Sequence, residues 1–190
     1  SAELSGSLDP RQVAERMAGH LARAMGVDEC VISYWDRPGD RVESLGYHPI
    51  HRLEALEPFF DISGFPETLR VLERQDTVII DADDPTADRA EVELMLRDGN
   101  RSLAMLPLVA KGQSIGLVEL LSNEPDAFTE ERLGLARTMA NEAAMALENA
   151  RPRTATSAFR SGRSPSVPTR QQSAPATRRP ARSSGFLPPV

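Results

Sequence analysis

The chain has 190 residues and a formal net charge of −6, a length that fits one domain with an appendage. Its last forty residues hold eight of the 22 Lys and Arg and none of the 28 Asp and Glu, so residues 1–150 set fourteen basic side chains against 28 acidic ones. A body that acidic does not neutralise phosphates, which excludes a DNA-binding fold for it. A lone cysteine excludes a disulfide scaffold or multi-cysteine zinc site and fits a reducing compartment.

Residues 1–8 read as a flexible start. No apolar run approaches the roughly 20 residues of a membrane span. The polar Ser1-Ala2-Glu3 does not read as a signal peptide, so a soluble, cytoplasmic protein is expected. Asp9-Pro10 pairs a capping residue with a proline suited to a first helical turn. Val13, Met17, Leu21 and Ala24 then recur at helical spacing as far as Gly26. Cys30–Trp35 and Arg41–Tyr47 are β-rich runs separated by the turn residues Asp36-Arg37-Pro38-Gly39-Asp40, which predicts a hairpin.

Pro49, Pro58 and Pro66 break the middle, residues 48–100, into short pieces. Pro66–Arg74 reads as a helix, Thr77–Ile80 as a short buried strand, and Asp84-Pro85 as the opening of a second helix that ends at Gly99-Asn100. Ser102–Ala110 and Ser114–Leu121 read as two apolar strands joined around Lys111-Gly112. A two-residue turn there pairs Leu106 with Leu117 and Ala104 with Glu119; a three-residue loop would shift every pair by one. Both faces are mostly apolar, so the hairpin is expected to be covered on both sides. Thr129-Glu130-Glu131-Arg132 resembles a capped helix start, followed by a small-residue stripe through Leu133, Ala136, Met139, Ala143 and Leu147. At about 1.5 Å per residue this helix is longer than a small sheet needs as cover, which suggests continuation into a coiled coil or a partner helix. The Arg-, Pro- and Ser-rich segment 151–190 offers too little apolar surface to offset its ordering entropy and is expected to be a disordered, solvated linker.

This element order resembles a GAF domain, the small-molecule sensor module of bacterial signalling proteins. Phe65-Pro66-Glu67-Thr68-Leu69-Arg70-Val71-Leu72 is similar to the family's mid-domain helix, and Asp81-Ala82-Asp83-Asp84-Pro85 to its acidic loop. Ser102–Leu108 with Ile115–Leu120 is similar to its signature hairpin. Phe128-Thr129-Glu130-Glu131 and residues 143–150 are similar to the ends of its last helix. The resemblance covers residues 9–150. It implies an α+β fold with a central antiparallel sheet of five to six strands, the terminal helices on one face, and short helices and loops roofing a ligand pocket on the other. It also implies homodimerisation through the terminal helices, here Val13, Met17, Leu21, Ala136, Met139, Ala143 and Leu147. The family further implies an output domain absent from this chain, such as a histidine kinase of a two-component system, a phosphodiesterase, or a diguanylate cyclase of cyclic-di-GMP signalling. The tail departs from the helical linker that such an arrangement uses.

The expected pocket is apolar, lined by Ile32, Tyr34, Phe59, Phe60, Phe65, Met95, Leu106 and Leu117, with Glu119 as its single charge. A buried carboxylate is costly unless paired or protonated. Arg101, or a cationic or hydrogen-bonding group of a ligand, would answer it; alternatively Glu119 sits in water at a sheet edge. No hydrolase elbow, phosphate loop, dinucleotide fingerprint or zinc-protease helix occurs, so no catalytic residues are assigned and the chain is not expected to be an enzyme. Cys30 reads as a buried structural thiol, with a Cys30-dependent redox enzyme as the alternative. It does not match the bilin-attachment position of the phytochrome branch, and one cysteine argues against the methionine-sulfoxide-reductase branch. His48, His51 and Glu54 would share a face only if Pro49 allowed a helix; a solvated loop is the simpler reading, and neither metal nor haem is assigned. Asp81, Asp83, Asp84 and Asp88 lack the glycine and the terminal carboxylate of a calcium loop, and helix capping by Asp84 accounts for them better. Asn123, Phe128 and Glu131 match the family's cyclic-nucleotide signature without its lysine, so the ligand is not identified. The tail offers few aromatic residues for nucleic acid.

Overall fold

The computed structural model describes residues 9–50 and 57–151; residues 1–8, the tail beyond 151, His51 and Glu54 lie outside them. Helix α1 spans Pro10–Met25. The Asp9 side chain accepts the Arg11 amide at 3.0 Å, and Gly26 closes the helix at φ 60°, a conformation open to glycine at no steric cost. Strand β1, Glu29–Asp36, turns through a single 3-10 turn at Arg37–Gly39 into β2, Arg41–His48. The three-residue β3, Phe59–Asp61, follows. Then come α2, Pro66–Arg74, β4, Val78–Asp81, and α3, Arg89–Arg97. The chain continues through β5, Ser102–Ala110, β6, Gln113–Ser122, and α4, Glu130–Ala150.

The six strands form one antiparallel sheet in the order β3-β2-β1-β6-β5-β4. Alternation in each strand divides it into two apolar faces. The back face carries Cys30, Ile32, Leu45, Ala104, Leu106, Leu108, Val118 and Leu120, packed against α1 and α4. The front face carries Val42, Val78, Ile80, Leu103, Met105 and Leu117, packed against residues of α2 and α3 such as Val71, Leu72 and Met95. Small residues set how closely the back layer approaches. A Cβ on Gly46 would stand 2.4 Å from the Ala14 backbone carbon of α1. Within the sheet, one on Gly116 would collide with the Ser33 carbonyl of the neighbouring β1.

The β5–β6 hairpin departs from the expected pairing for a local reason. Lys111 and Gly112 both adopt positive φ, 53° and 77°, and the two-residue turn pairs Ala110 with Gln113 and Val109 with Ser114. One extra residue, Ile115, is then accommodated as a bulge, and from Leu108 onward the register shifts: Leu108 faces Gly116, Leu106 faces Val118, and Met105 faces Glu119. A one-residue slip exchanges the faces of one strand relative to the other. Leu106 therefore joins the back core, and Glu119 shares the front face with Met105 and Leu117. The expected pairing of Ala104 with Glu119 is corrected accordingly.

Three further expectations are corrected. Helix α3 starts four residues later than Asp84-Pro85. Asp84 turns on itself, accepting the Thr86 amide at 2.8 Å and its hydroxyl at 2.7 Å, and Asp88 caps the helix instead. Strand β4 pairs only with β5, so it is an edge, and Ile79 is exposed. Finally, α4 stops at Ala150, where Arg151 turns extended. Along its length α4 contacts α1 and β5. Among the described residues no helix is long and apolar enough to cross a membrane.

Candidate functional site

Between the front of the sheet and the α2–α3 roof lies a cavity of about 410 Å³, within the roughly 300–1,000 Å³ of small-molecule sites. Strands β1 and β2 contribute Val31, Ser33, Val42, Ser44 and Tyr47; Phe60 and Ile62 come from β3 and its exit. The roof contributes Thr68, Glu91, Leu94 and Met95, and the floor is Leu103, Leu117, Glu119 and Leu121. Glu57, Arg97 and Asp98 complete the wall. Arg97 is largely exposed, with Asp98 4.0 Å away.

The polar groups of the wall are unequal in their satisfaction. Glu91 is 2% exposed, and its Oε1 accepts both the Thr68 amide at 3.0 Å and the Thr68 hydroxyl at 2.7 Å. Thr68 lies in the first turn of α2, whose own cap residue, Phe65, offers no side-chain hydrogen bond. Glu91 of α3 thus caps α2 and ties the two roof helices together. Burial pushes the Glu91 carboxyl up; the Thr68 hydrogen bonds oppose this, while Asp88 and Glu67 add to it. The Thr68 hydroxyl also lies 3.5 Å from the Met105 sulfur, directly across the sheet from Glu119.

Glu119 has no hydrogen bond or ion pair with any described residue. Burial, and secondarily the negative charge of Glu91, push its carboxyl up from 4.5 to about 7. Ser33, 1% exposed, presents a hydroxyl without a hydrogen-bond partner on the same wall. The Tyr47 hydroxyl donates to Glu29.

Of the expected pocket residues, the structure brings Phe60, Met95, Leu117 and Glu119 together around the cavity. Phe65 packs against Phe60 with ring centroids 5.0 Å apart, behind the wall. Phe59 lies outside, under the Arg41 guanidinium at 4.1 Å. Ile32 and Leu106 are in the back core and Tyr34 packs against it, so none of the three lines the cavity. In β1 the cavity residues are instead Val31 and Ser33. The Tyr34 hydroxyl donates to the Leu147 carbonyl of α4 at 3.0 Å, and Arg151 lies 4.8 Å over its ring.

The expected dimer stripe is also corrected. Val13, Leu21, Ala136, Ala143 and Leu147 are buried in the chain's own back core, and Met17 and Met139 pack on its margin. The apolar side chains that α4 presents to solvent are Leu135 and Met145, 53% and 64% exposed. Arg101 does not reach Glu119: both Asp83 oxygens accept from its Nη2, at 2.6 and 2.7 Å. Asp81 accepts from the amides of Asp83 and Asp126 and binds a loop rather than an ion. Phe128 is buried against the helices, Asn123 and Glu131 are exposed, and none of the three lines the cavity. Cys30 is buried on the back face. Burial, and then the charge of Glu119, push its thiol far up, so it supplies neither a thiolate nucleophile nor an attachment point inside the cavity. His48 ends β2, and the described residues contain no cluster of three metal-ligating side chains. Among the cavity residues that sequence reasoning missed are the polar Ser33, Thr68 and Glu91. Ser33 carries a signal, alternation with Ile32; Thr68 and Glu91 carry none, because two separate helices bring them together.

The GAF domain family model matches residues 7–148. No curated protein matches the chain. Among solved structures, the chain is similar to the GAF domain of blue-light-absorbing PixJ from Thermosynechococcus elongatus, at 14% identity and TM-score 0.62 over 78% of this chain and 90% of that one. It is similar to a GAF domain/HD domain protein from Geobacter sulfurreducens, at 16% identity and TM-score 0.62 over 78% and 97%. It also resembles a domain described as belonging to a two-component sensor histidine kinase of Sinorhizobium meliloti 1021, at 19% identity and TM-score 0.55 over 72% and 89%. With the family match spanning most of the chain, and the six-stranded sheet, back helices and roofed cavity in place, this protein belongs to the GAF domain family.

Proposed function

We infer that the chain is a sensory module: its front cavity binds a small molecule, and occupancy is relayed through α4 to an output domain such as a diguanylate cyclase or a histidine kinase. The observation that carries this reading is the roofed cavity of about 410 Å³, where the buried Ser33 hydroxyl lacks a hydrogen-bond partner and the partly exposed Glu119 carboxyl has no hydrogen bond or ion pair with a described residue. Wasted polar burial is expensive, and a ligand is the economical answer to it. The tie between Tyr34 and Leu147 supports the relay, because it joins a strand of the cavity wall to the last turn of α4. Two discrete positions of that turn would form the output. Native mass spectrometry of freshly purified protein tests the reading. A retained small molecule released on denaturation is the expected result. A mass equal to the polypeptide alone, with no ligand from a metabolite mixture raising the melting temperature, overturns it.

A second reading, a dimerisation module without ligand, rests on the exposed Leu135 and Met145 of α4. Sedimentation of the full chain and of a Leu135→Lys/Met145→Lys double variant tests it, with conversion of dimer to monomer as its expected result.

A further inference from the structure

Resting on the sensory reading, we propose that the cavity takes an organic cation, an ammonium or amidinium group on an apolar body, with its head at Glu119, Glu91 and Ser33. The cavity is lined by the carboxyls of Glu57, Glu91, Asp98 and Glu119 and, among described basic side chains, by Arg97 alone. Glu91 commits its Oε1 to Thr68, and no described donor reaches its Oε2. Glu119 is without a partner, and the buried Ser33 hydroxyl, also without one, supplies an acceptor on the same wall. The wall's one described guanidinium, Arg97, is largely exposed and has Asp98 beside it, so an anion entering this cavity would meet carboxylates without a counter-charge. A cation answers the unpaired Glu119 and Ser33 and the remaining Oε2 of Glu91 at once, through charge-assisted hydrogen bonds that strengthen where water is excluded. Phe60, Met95 and Leu117 leave the rest of the space apolar.

Three isosteric probes that differ in charge test this: benzamidine, benzamide and benzoate, titrated into the full chain and followed by amide chemical shifts and calorimetry. Benzamidine is expected to bind at least about tenfold more tightly than either of the others, with the largest shifts at Ser33, Met95 and Glu119. Glu119→Gln is expected to weaken benzamidine at least about tenfold and leave benzamide within about twofold. Ser33→Ala, which leaves both carboxyls in place, should weaken it severalfold. Benzamidine stays charged between pH 6 and 8, whereas Glu119, with its midpoint near about 7, goes from mostly protonated to mostly ionised. Affinity should therefore fall about tenfold from pH 8 to pH 6 in the wild type and stay flat in Glu119→Gln. The other charged or titratable groups facing the site are Glu57, Glu91, Asp98, Arg97 and Tyr47. Benzamide or benzoate binding there as tightly as benzamidine overturns the cation assignment while leaving a ligand-binding cavity. Absence of cavity shifts with all three also overturns it. The sensory reading falls only if the protein is also ligand-free in native mass spectra and unaffected by a metabolite mixture.

Discussion

Replacing Glu119 with glutamine should stabilise the unliganded protein, and by an amount that depends on pH. At about 1.4 kcal/mol per tenfold change in proton affinity, the rise of its carboxyl from 4.5 to about 7 corresponds to roughly 3 kcal/mol. Residual water in the cavity reduces that figure toward about 2 kcal/mol. Between pH 4.5 and 7 the folded chain holds a proton at Glu119 that the unfolded chain has released. Stability therefore declines as pH rises through that window, and the whole penalty is present above it. Glutamine keeps the shape and never ionises. Urea titrations of both proteins at several values between pH 4.5 and pH 8 measure the effect, because the other titrating groups largely cancel in the difference. The variant's advantage should grow by about 2–3 kcal/mol from the acid to the alkaline end. A difference constant across that range, or one that shrinks as pH rises, would show that Glu119 is not held in a desolvated, unpaired state.

Thr68→Val removes the hydroxyl that Glu91 accepts at 2.7 Å and should cost about 1–3 kcal/mol in urea unfolding. Hydrogen exchange should quicken in the first turn of α2. Gly46→Ala places a methyl 2.4 Å from the Ala14 backbone, so α1 must shift; a loss of about 1–3 kcal/mol or more is expected in thermal or urea melts, and an unchanged melting temperature would refute the packing described. Tyr34→Phe deletes the bond to the Leu147 carbonyl and should cost about 0.5–1.5 kcal/mol, read most directly as faster amide exchange in the last turn of α4. Cys30, buried with its thiol shifted far up, should resist a thiol-specific reagent in the native protein and react at once in urea.

Elements whose signals are local were legible from local chemistry. Asp9-Pro10 and Gly26 mark both ends of α1, Pro66–Arg74 is α2 to the residue, and Thr129 caps α4 through the Arg132 amide. Strand β3 has three residues, too few for any periodicity, and exists only because β2 offers an edge. The Lys111-Gly112 turn was legible, but the bulge at Ile115 was not, since nothing in Gln113–Gly116 distinguishes a continuous ladder from an interrupted one. That single residue decided which of Leu106 and Met105 shares a face with Glu119. The dimer stripe failed for a different reason. Small residues at helical spacing describe close approach to something, and here that something is α1 and the chain's own sheet. Four of the nine expected pocket residues, Phe60, Met95, Leu117 and Glu119, line the cavity, because they lie on the front whichever way β5 is registered.

Ser33 and Tyr34 are consecutive residues on opposite sides of a sheet one residue thick. One looks into the cavity and the other holds the carbonyl end of α4. A single peptide plane joins them, so under the proposed sensory role a tilt that carried the serine toward an occupant would swing the phenol the other way, like the two ends of a seesaw. On that reading, communication from front to back would need no chain of intermediaries, because one amide separates the two side chains.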